Sequence, residues 1–423
     1  MNKLFDAVAW GDGANIYEVN IRQYTKEGTF SAFAEHLPRL KDMGVEILWL
    51  MPITPIGVEK RLGSLGSYYA CKSYVQVNPE FGSLDDLKAL VKQAHDLGFK
   101  LIIDWVANHT GYDHEWVEGG HTDWYVLDEA GNFTEKYGWN DVIDLNYNNN
   151  HMREAMINAM QFWINECDID GFRCDMAHLV PLDFWVEARK RCDKVKHLFW
   201  LAECEVPAYH EVFDVSYAWQ FMHVTEKFMQ QHALLNDVIH VLEQYAHYPA
   251  GAKKLFFTSN HDENSWNGTE YEKYREAAKA FAVFTCTWPG MPLVYSGQEM
   301  ANKKRLKFFE KDALEWTPTP LLHDFYKTLL HLRRNNSALQ NESRLVKLPT
   351  NVNEQVLAYL QVHDNQKVLI IINFSGSGRL KVEMQHTDLP GKYYNAFTGI
   401  AHQLEFDASF ELQPWEFIVW TTS

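Results

Sequence analysis

Ile169-Asp-Gly-Phe-Arg-Cys-Asp175 is the stretch on which the fold turns. It reads as a short buried strand that ends in charge. Side chains alternate along a strand, so Arg173 and Asp175 share one face and Cys174 takes the other. A cation two residues from a carboxylate favours the ionised form, which suits a nucleophile better than a proton donor. Taken alone, the segment reads equally well as a structural Arg–Asp pair at a strand end. Its surroundings decide, because the same pattern of apolar strand and polar tip recurs along the chain.

Upstream, Met152–Glu166 has the helical period that feeds this strand. Ala14–Gln23, Val45–Met51 and Phe99–Asp104 read as earlier strands, with serine-capped helices over Ser31–Met43 and Ser83–Leu97 between them. Downstream, strands at Leu198–Ala202, Val212–Ser216, Lys254–Ser259 and Pro292–Tyr295 are spaced by helices at Leu182–Cys192, around Leu234–Tyr245, at Tyr271–Thr285 and at Leu321–Asn335. Eight strands alternating with helices predict an α/β protein built as a closed parallel (β/α)8 TIM barrel. The alternative is an open doubly wound sheet, but no Gly-rich dinucleotide loop follows the first strand. Residues 110–150, rich in Gly, Asn, Asp, Trp and Tyr, hold no sustained period and read as a short inserted subdomain. From about Ser337 the helices stop. Val356–Val362, Lys367–Asn373, Arg379–Met384 and Phe410–Trp420 alternate between turn residues and predict a C-terminal antiparallel β-sandwich. The expected division is a barrel over 1–109 and 151–336, an insert over 110–150 and a sandwich over 337–423.

Composition narrows the chemistry. In 423 residues, 39 Lys and Arg face 56 Asp and Glu, a net charge of −17. No basic stripe is present to neutralise phosphates, which argues against nucleic acid or an anionic membrane as partner and suits an uncharged substrate. Aromatic residues reach 14%, with 15 Trp, and flat aromatic faces hold neutral sugars. No apolar run is long enough to span a bilayer. If Met1 is the natural start, the expected location is the cytoplasm; removal of a signal peptide would make it secreted or periplasmic. The cysteines at 71, 167, 174, 192, 204 and 286 lack metal-ligand spacing and read as buried reduced thiols, with Cys174 and Cys204 inside strands.

In a closed βα barrel, reactive groups come from the C-terminal strand ends. The third strand exits through Asp104-Trp-Val-Ala-Asn-His109 and the fourth through Arg173 and Asp175. The fifth exits through Glu203-Cys-Glu205 and the seventh through Ser259-Asn-His-Asp262. Three carboxylates at the tips of strands four, five and seven, with two histidines beside them, form a strong constellation. In order and spacing these segments resemble the four signature regions of the α-amylase superfamily of glycoside hydrolases. Gly44–Pro52, Val77–Gly82 and Gly290–Glu299 add further matches, so the resemblance covers nearly the whole chain.

The resemblance implies that Asp175 is the nucleophile, Glu203 the acid and then base, and Asp262 the third carboxylate, gripping the 2- and 3-hydroxyls of a distorted sugar. Retention would place the first two carboxyl groups ~5–5.5 Å apart. Glu203 lacks a cation among its sequence neighbours, and Glu205, on the same strand face, would raise its pKa. His109 and His261 would donate to sugar hydroxyls beside Arg173, and Tyr69 matches the family's stacking tyrosine. Trp105, Trp124, Trp139 and Trp266 are read on loops that could line subsites or fill the core. No cofactor is required; Asn108 matches a calcium ligand, which leaves room for a structural calcium ion. Three departures stand out: Ser73 replaces an acid, His178 and Leu179 replace a Lys-His pair, and the 110–150 excursion is short, which favours soluble maltodextrins as readily as granular starch. The implied function is a retaining α-1,4-glucan hydrolase acting on an oligo- or polysaccharide. An α-1,6-glucosidase, a transglycosylase of the same superfamily and an inactive carbohydrate-binding homologue are the other readings.

Overall fold

A computed structural model describes residues 3–340 and 343–422. Its centre is a closed barrel of eight parallel strands: β1 (Ile16–Val19), β2 (Ile47–Leu50), β3 (Lys100–Trp105), β4 (Gly171–Cys174), β5 (Phe199–Ala202), β6 (Val215–Tyr217), β7 (Lys253–Phe256) and β8 (Met291–Tyr295). β8 closes against β1 with Ile16 opposite Leu293. The open-sheet alternative is thereby excluded. Period two sorts the side chains. Ile16, Ile47, Trp49, Ile102, Leu201, Val215, Leu255 and Leu293 fill the interior, while Leu48, Leu50, Leu101, Ile103, Phe172 and Trp200 turn outward to the helices. On the inward parity one step further up, hydrophobic residues give way to Glu18, Asp104 and Arg173. Register places Asp104 of β3 beside Arg173 of β4. Gly171 belongs to this close packing, because a Cβ there would collide with the carbonyl oxygen of Phe199 in the neighbouring strand.

Residues 109–149 contain a small antiparallel pair, His109–Gly111 with Val142–Asp144, a short α-helix, Glu115–Glu118, and a 3-10 turn, Thr122–Trp124. The C-terminal part has a six-stranded antiparallel sheet and a two-stranded one, Leu380–Gln385 with Asp407–Leu412. Ala358, Leu360, Leu369 and Ile371 face Val382, Met384, Phe410 and Leu412 of the small sheet, making the sandwich core. The opposite parity, Tyr359, Val368, Ile370 and Ile372, joins the barrel's outer cluster, so the central strands are apolar on both faces.

Several local readings change. The first strand ends at Val19, since the chain turns into a helix at Ile21–Tyr24. Ser31–Met43 is split into Phe30–Ala34, capped by Thr29 rather than Ser31, and Leu37–Met43, which has Pro38 in its first turn. A proline there is tolerated only near a helix start, so the helix restarts rather than continues. The Ser83 cap stands, in a capping box with Asp86. Tyr271–Thr285 is broken at Arg275, whose φ of 50° lies in the left-handed region. A helix at Trp219–Met229 and strands at Arg344–Lys347, Gly391–Asn395 and Ala401–Leu404 were not expected, and Phe410–Trp420 is two strands parted at Pro414. Cys204 lies beyond the end of β5, not inside it, while all six cysteines are free and buried. Among the described residues no helix is long and apolar enough to cross a membrane.

Candidate active site

Arg173 is the hub of the barrel's C-terminal end. Its side chain is fully buried, and its planar fork reaches three carboxylates contributed by three different strands. Nη1 donates to Asp104 Oδ1 at 3.0 Å and to Asp175 Oδ1 at 2.7 Å; Nη2 lies 2.8 Å from Glu203 Oε2; Nε donates to the Tyr217 hydroxyl at 3.1 Å. The guanidinium also stacks over Trp49, 5.0 Å from the ring centre. A lysine could not replace this fork, because a single ammonium cannot address three separated acceptors in one plane.

One cation does not neutralise so many acids. Burial pushes the Asp175 carboxyl up; Arg173 beside it pulls down and Asp104 pushes up again, leaving it at about 6. Burial likewise raises Asp104 to about 6 against the opposing pull of Arg173. Glu203 is raised further, to about 7, by burial and by Asp175 and Asp262, with Arg173 opposing. Two sequence expectations are corrected here. Asp175 is not simply held ionised by Arg173, since desolvation outweighs the cation that is shared three ways. Glu203 has no cation on its own strand, as its sequence neighbours suggest, but β4 supplies one in Arg173. Glu205 is turned away, accepting from the Tyr245 hydroxyl at 2.6 Å and from the Gln220 N–H at 3.0 Å.

A second centre forms around His261. Burial alone would lower its pKa, but Asp262 and Glu18 outweigh burial and hold the imidazole protonated well above its ordinary value. Nδ1–H donates to Glu18 Oε1 at 2.5 Å, and Nε2 lies 2.8 Å from the Tyr69 hydroxyl and 3.2 Å from Asp262 Oδ2. The Tyr69 hydroxyl in turn donates to Asp104 Oδ2 at 3.0 Å. Asp262 is thus kept ionised: burial would raise it, yet His261 and Arg173 draw it below the usual carboxylate range. Glu18, on β1, was missed from the sequence; an acid on the inward parity of Ile16 was the available signal.

His109 is buried, and burial lowers it to about 4, so it is a neutral ring at ordinary pH. Asn108 Nδ2–H donates to His109 Nδ1 at 3.1 Å, which leaves the proton on Nε2. Asn108 also supports Asp144. A calcium ion takes about 6–8 oxygen ligands. Asn108 and Asp144 offer few, and among the described residues no group of three or more His, Cys, Asp or Glu is arranged to hold a metal. The donor set at Asn108 therefore fits a hydrogen-bonded support of the insert, the Asn108 backbone carbonyl also accepting from the Leu145 N–H at 3.0 Å, and offers too few oxygens for a calcium cage.

A cavity of about 330 Å³ opens over these groups, lined by Tyr69, His109, Asp175, Glu203, His261 and Asp262. Arg173 lies beneath its floor. Trp139 and Trp266 line it, as does the Phe308–Phe309 pair, which sequence periodicity did not flag. Trp105 is not on a loop but inside β3, buried against Tyr74 and Phe172, and Trp124 packs edge-on against Trp116. Ser73 is buried, and exposed His178 follows the nucleophile candidate on a single 3-10 turn.

The α-amylase catalytic-domain family model matches residues 10–319. Among solved structures, a noncanonic maltogenic α-amylase, AmyB, from Thermotoga neapolitana superposes with a TM-score of 0.89 at 33% identity, over 97% of this chain and 98% of its own. An α-amylase from Lactobacillus plantarum superposes with a TM-score of 0.86 at 28% identity, over 97% of this chain and 98% of its own. The α-amylase MalA of Haloarcula japonica is 28% identical over 418 residues, 93% of this chain; the chain spans 61% of that relative's length. The strand-tip carboxylates and the barrel that carries them therefore come with a match across 10–319, and the chain belongs to the α-amylase family.

Proposed function

We propose that the chain is a retaining hydrolase of α-1,4-glucosidic bonds in maltodextrins and starch, working by double displacement. The observation that carries this reading is the meeting of Asp175 and Glu203 on the single guanidinium of Arg173, at the floor of one sugar-sized cavity. With Glu203 at about 7 and Asp175 at about 6, the pair divides into an acid and a base near neutrality.

In the first step the Asp175 carboxylate attacks the anomeric carbon while Glu203 gives its proton to the glycosidic oxygen. The C1–O bond breaks, and the leaving chain departs as an alcohol. A glycosyl ester on Asp175 remains, and Glu203 is now a carboxylate. In the second step Glu203 takes a proton from water, whose oxygen attacks C1 and displaces Asp175. Two inversions at C1 give net retention. Arg173 tempers the charge as Asp175 alternates between carboxylate and ester, and the low-dielectric surroundings make that field effective. Asp262, kept ionised by His261, accepts hydrogen bonds from ring hydroxyls that strengthen as the sugar flattens. His109 offers Nε2–H to a hydroxyl. In the free protein both N–H groups of His261 are engaged, so its larger part here is to orient Tyr69 and Asp262.

Product analysis tests this reading. Maltoheptaose should yield shorter maltooligosaccharides whose new reducing ends are α-anomers when first seen by NMR, and isomaltose should persist. A β-anomer as first product, or cleavage of isomaltose alone, would refute it.

A further inference from the structure

One side of the cleft is closed by two loops that hold each other. The first, after β2, runs through Leu62, Gly63, Ser64 and Leu65; the second, after β8, carries Phe308, Phe309 and Glu310. Leu65 N–H donates to the Phe309 carbonyl at 3.0 Å, Ser64 N–H donates to Glu310 Oε1 at 2.9 Å, and the Ser64 hydroxyl donates to the same carboxylate. Gly63, with φ of 62°, lies so close that a Cβ there would collide with Phe309 Cβ.

Each loop is also tied to the barrel. Arg22 Nη1 donates to the Gly66 carbonyl at 3.2 Å, and its Nη2 to that of Leu65 at 3.3 Å. Leu306 N–H donates to Asn264 Oδ1 at 2.8 Å, and Gln23 Nε2 donates to the Lys307 carbonyl at 2.9 Å. Bonds at both roots and across the middle make this a fixed strap, not a swinging lid.

Its position gives it a role. Phe308 lies within 14° of parallel to Tyr69, at 6.3 Å, and Tyr69 within 20° of parallel to His261, at 5.5 Å. Trp266, 52% exposed, continues the row at 5.5 Å from Phe308 and 5.6 Å from Phe309. The strap therefore borders the Tyr69–His261–Asp262 side, where the sugar under attack is held on the proposed mechanism. The leaving chain departs on the Glu203 side. In a retaining glucanase the attacked sugar belongs to the non-reducing part of the chain, so what lies beyond Tyr69 limits how much glucan can extend that way. The cavity of about 330 Å³ is at the small end of ligand pockets, which run about 300–1,000 Å³.

We propose that the strap closes the donor end of the cleft, so that the enzyme takes the non-reducing ends of maltodextrins and releases glucose or maltose rather than cutting chains at random. This inference rests on the hydrolase reading and adds where along the glucan the cut falls. The strap acts as a specificity device, because it sets which bond reaches Asp175 without touching the reacting atoms.

The test uses maltoheptaose tagged with a fluorophore at its reducing end, with products followed from the earliest time points. The wild-type chain should give tagged products shortened only by a glucose or maltose. Glu310→Ala removes both Ser64 bonds from a half-buried position in the loop after β8, and Phe309→Ala trims the wall itself. Phe309→Ala should raise early release of maltotriose and longer pieces by roughly tenfold, the value of one lost apolar contact in a specificity pocket, and Glu310→Ala should shift the pattern the same way by loosening the strap that holds Phe309. Tagged fragments of all lengths at the earliest times in the wild type, or an unchanged pattern in both variants, would overturn the strap's role. Absence of any α-1,4 hydrolysis would overturn the hydrolase reading along with it, and so separates the two failures.

Discussion

Replacing Asp175 by Asn should abolish turnover and, at the same time, make the protein more stable in a pH-dependent way. In the folded chain this carboxyl is moved from its ordinary 3.8 up to about 6, because burial penalises the charge more than Arg173 rewards it. A group whose folded pKa is raised supports the fold fully below its unfolded pKa, and that support is lost as pH rises through the folded value. The window here runs from 3.8 to about 6. A shift of roughly 2 units at ~1.4 kcal/mol each makes the ionised aspartate cost about 3 kcal/mol of stability at about pH 8. Asn mimics the protonated form and escapes that cost. With an unfolding entropy of ~2.1 cal/mol/K per residue, a chain of this length should gain roughly 3 °C in Tm. Thermal melts of wild type and D175N across the pH range check this. The gain should be present at alkaline pH and should shrink towards zero at about pH 4, below which both chains carry a neutral side chain at this position. A variant less stable than wild type at alkaline pH, or a gain independent of pH, would refute the claim that desolvation outweighs Arg173 at this site.

Other outcomes follow from the same electrostatics. The profile of kcat/KM against pH should be a bell, its acid limb near 6 from ionisation of Asp175 and its alkaline limb near 7 from loss of the Glu203 proton; a flat profile across this range would remove the acid–base division. Glu203→Gln should lose roughly 10²–10⁴-fold in kcat/KM on maltooligosaccharides yet lose far less in kcat/KM on nitrophenyl glycosides, whose leaving group needs no proton, while kcat stays low on both for want of the base in the second step; equal losses of kcat/KM on both substrates would count against the acid. A chelator should leave Tm and rate unchanged, because Asn108 and Asp144 offer too few oxygens for a calcium ion; a fall in Tm restored by added calcium would show a metal cage that the side chains do not suggest.

The sequence carried the barrel because its strands, buried on both faces, read as short apolar runs that alternate with amphipathic helical stretches. It also offered Asp175, Glu203, Asp262, His109 and His261 on short segments at strand ends, and the structure gathers them with Tyr69, from the long loop after β2, around one cavity. The ionisation of the site was not legible. Arg173 and Asp175 are neighbours in sequence, but Glu203 reaches the same guanidinium only when β5 lies beside β4, and burial is a property of the closed barrel. Glu18 was hidden among the polar positions of a strand read as alternating, with nothing in the sequence to say that its face turns into the barrel. The Phe308–Phe309 wall escaped notice because the loop after β8 has no period, and its meaning depends on contact with residues 62–65, far earlier in the chain. The helix at Trp219–Met229 was passed over because its apolar stretch follows the short strand β6 almost without a break.

The most direct test of the account is to trap the covalent intermediate. A 5-fluoro glucosyl fluoride should form the glycosyl ester faster than water releases it, and peptide mass spectrometry of the quenched protein locates the adduct. The account predicts one sugar on the peptide containing Asp175. An adduct on Asp104, Glu203 or Asp262 instead, or turnover with no adduct and inversion at the anomeric carbon, would contradict it.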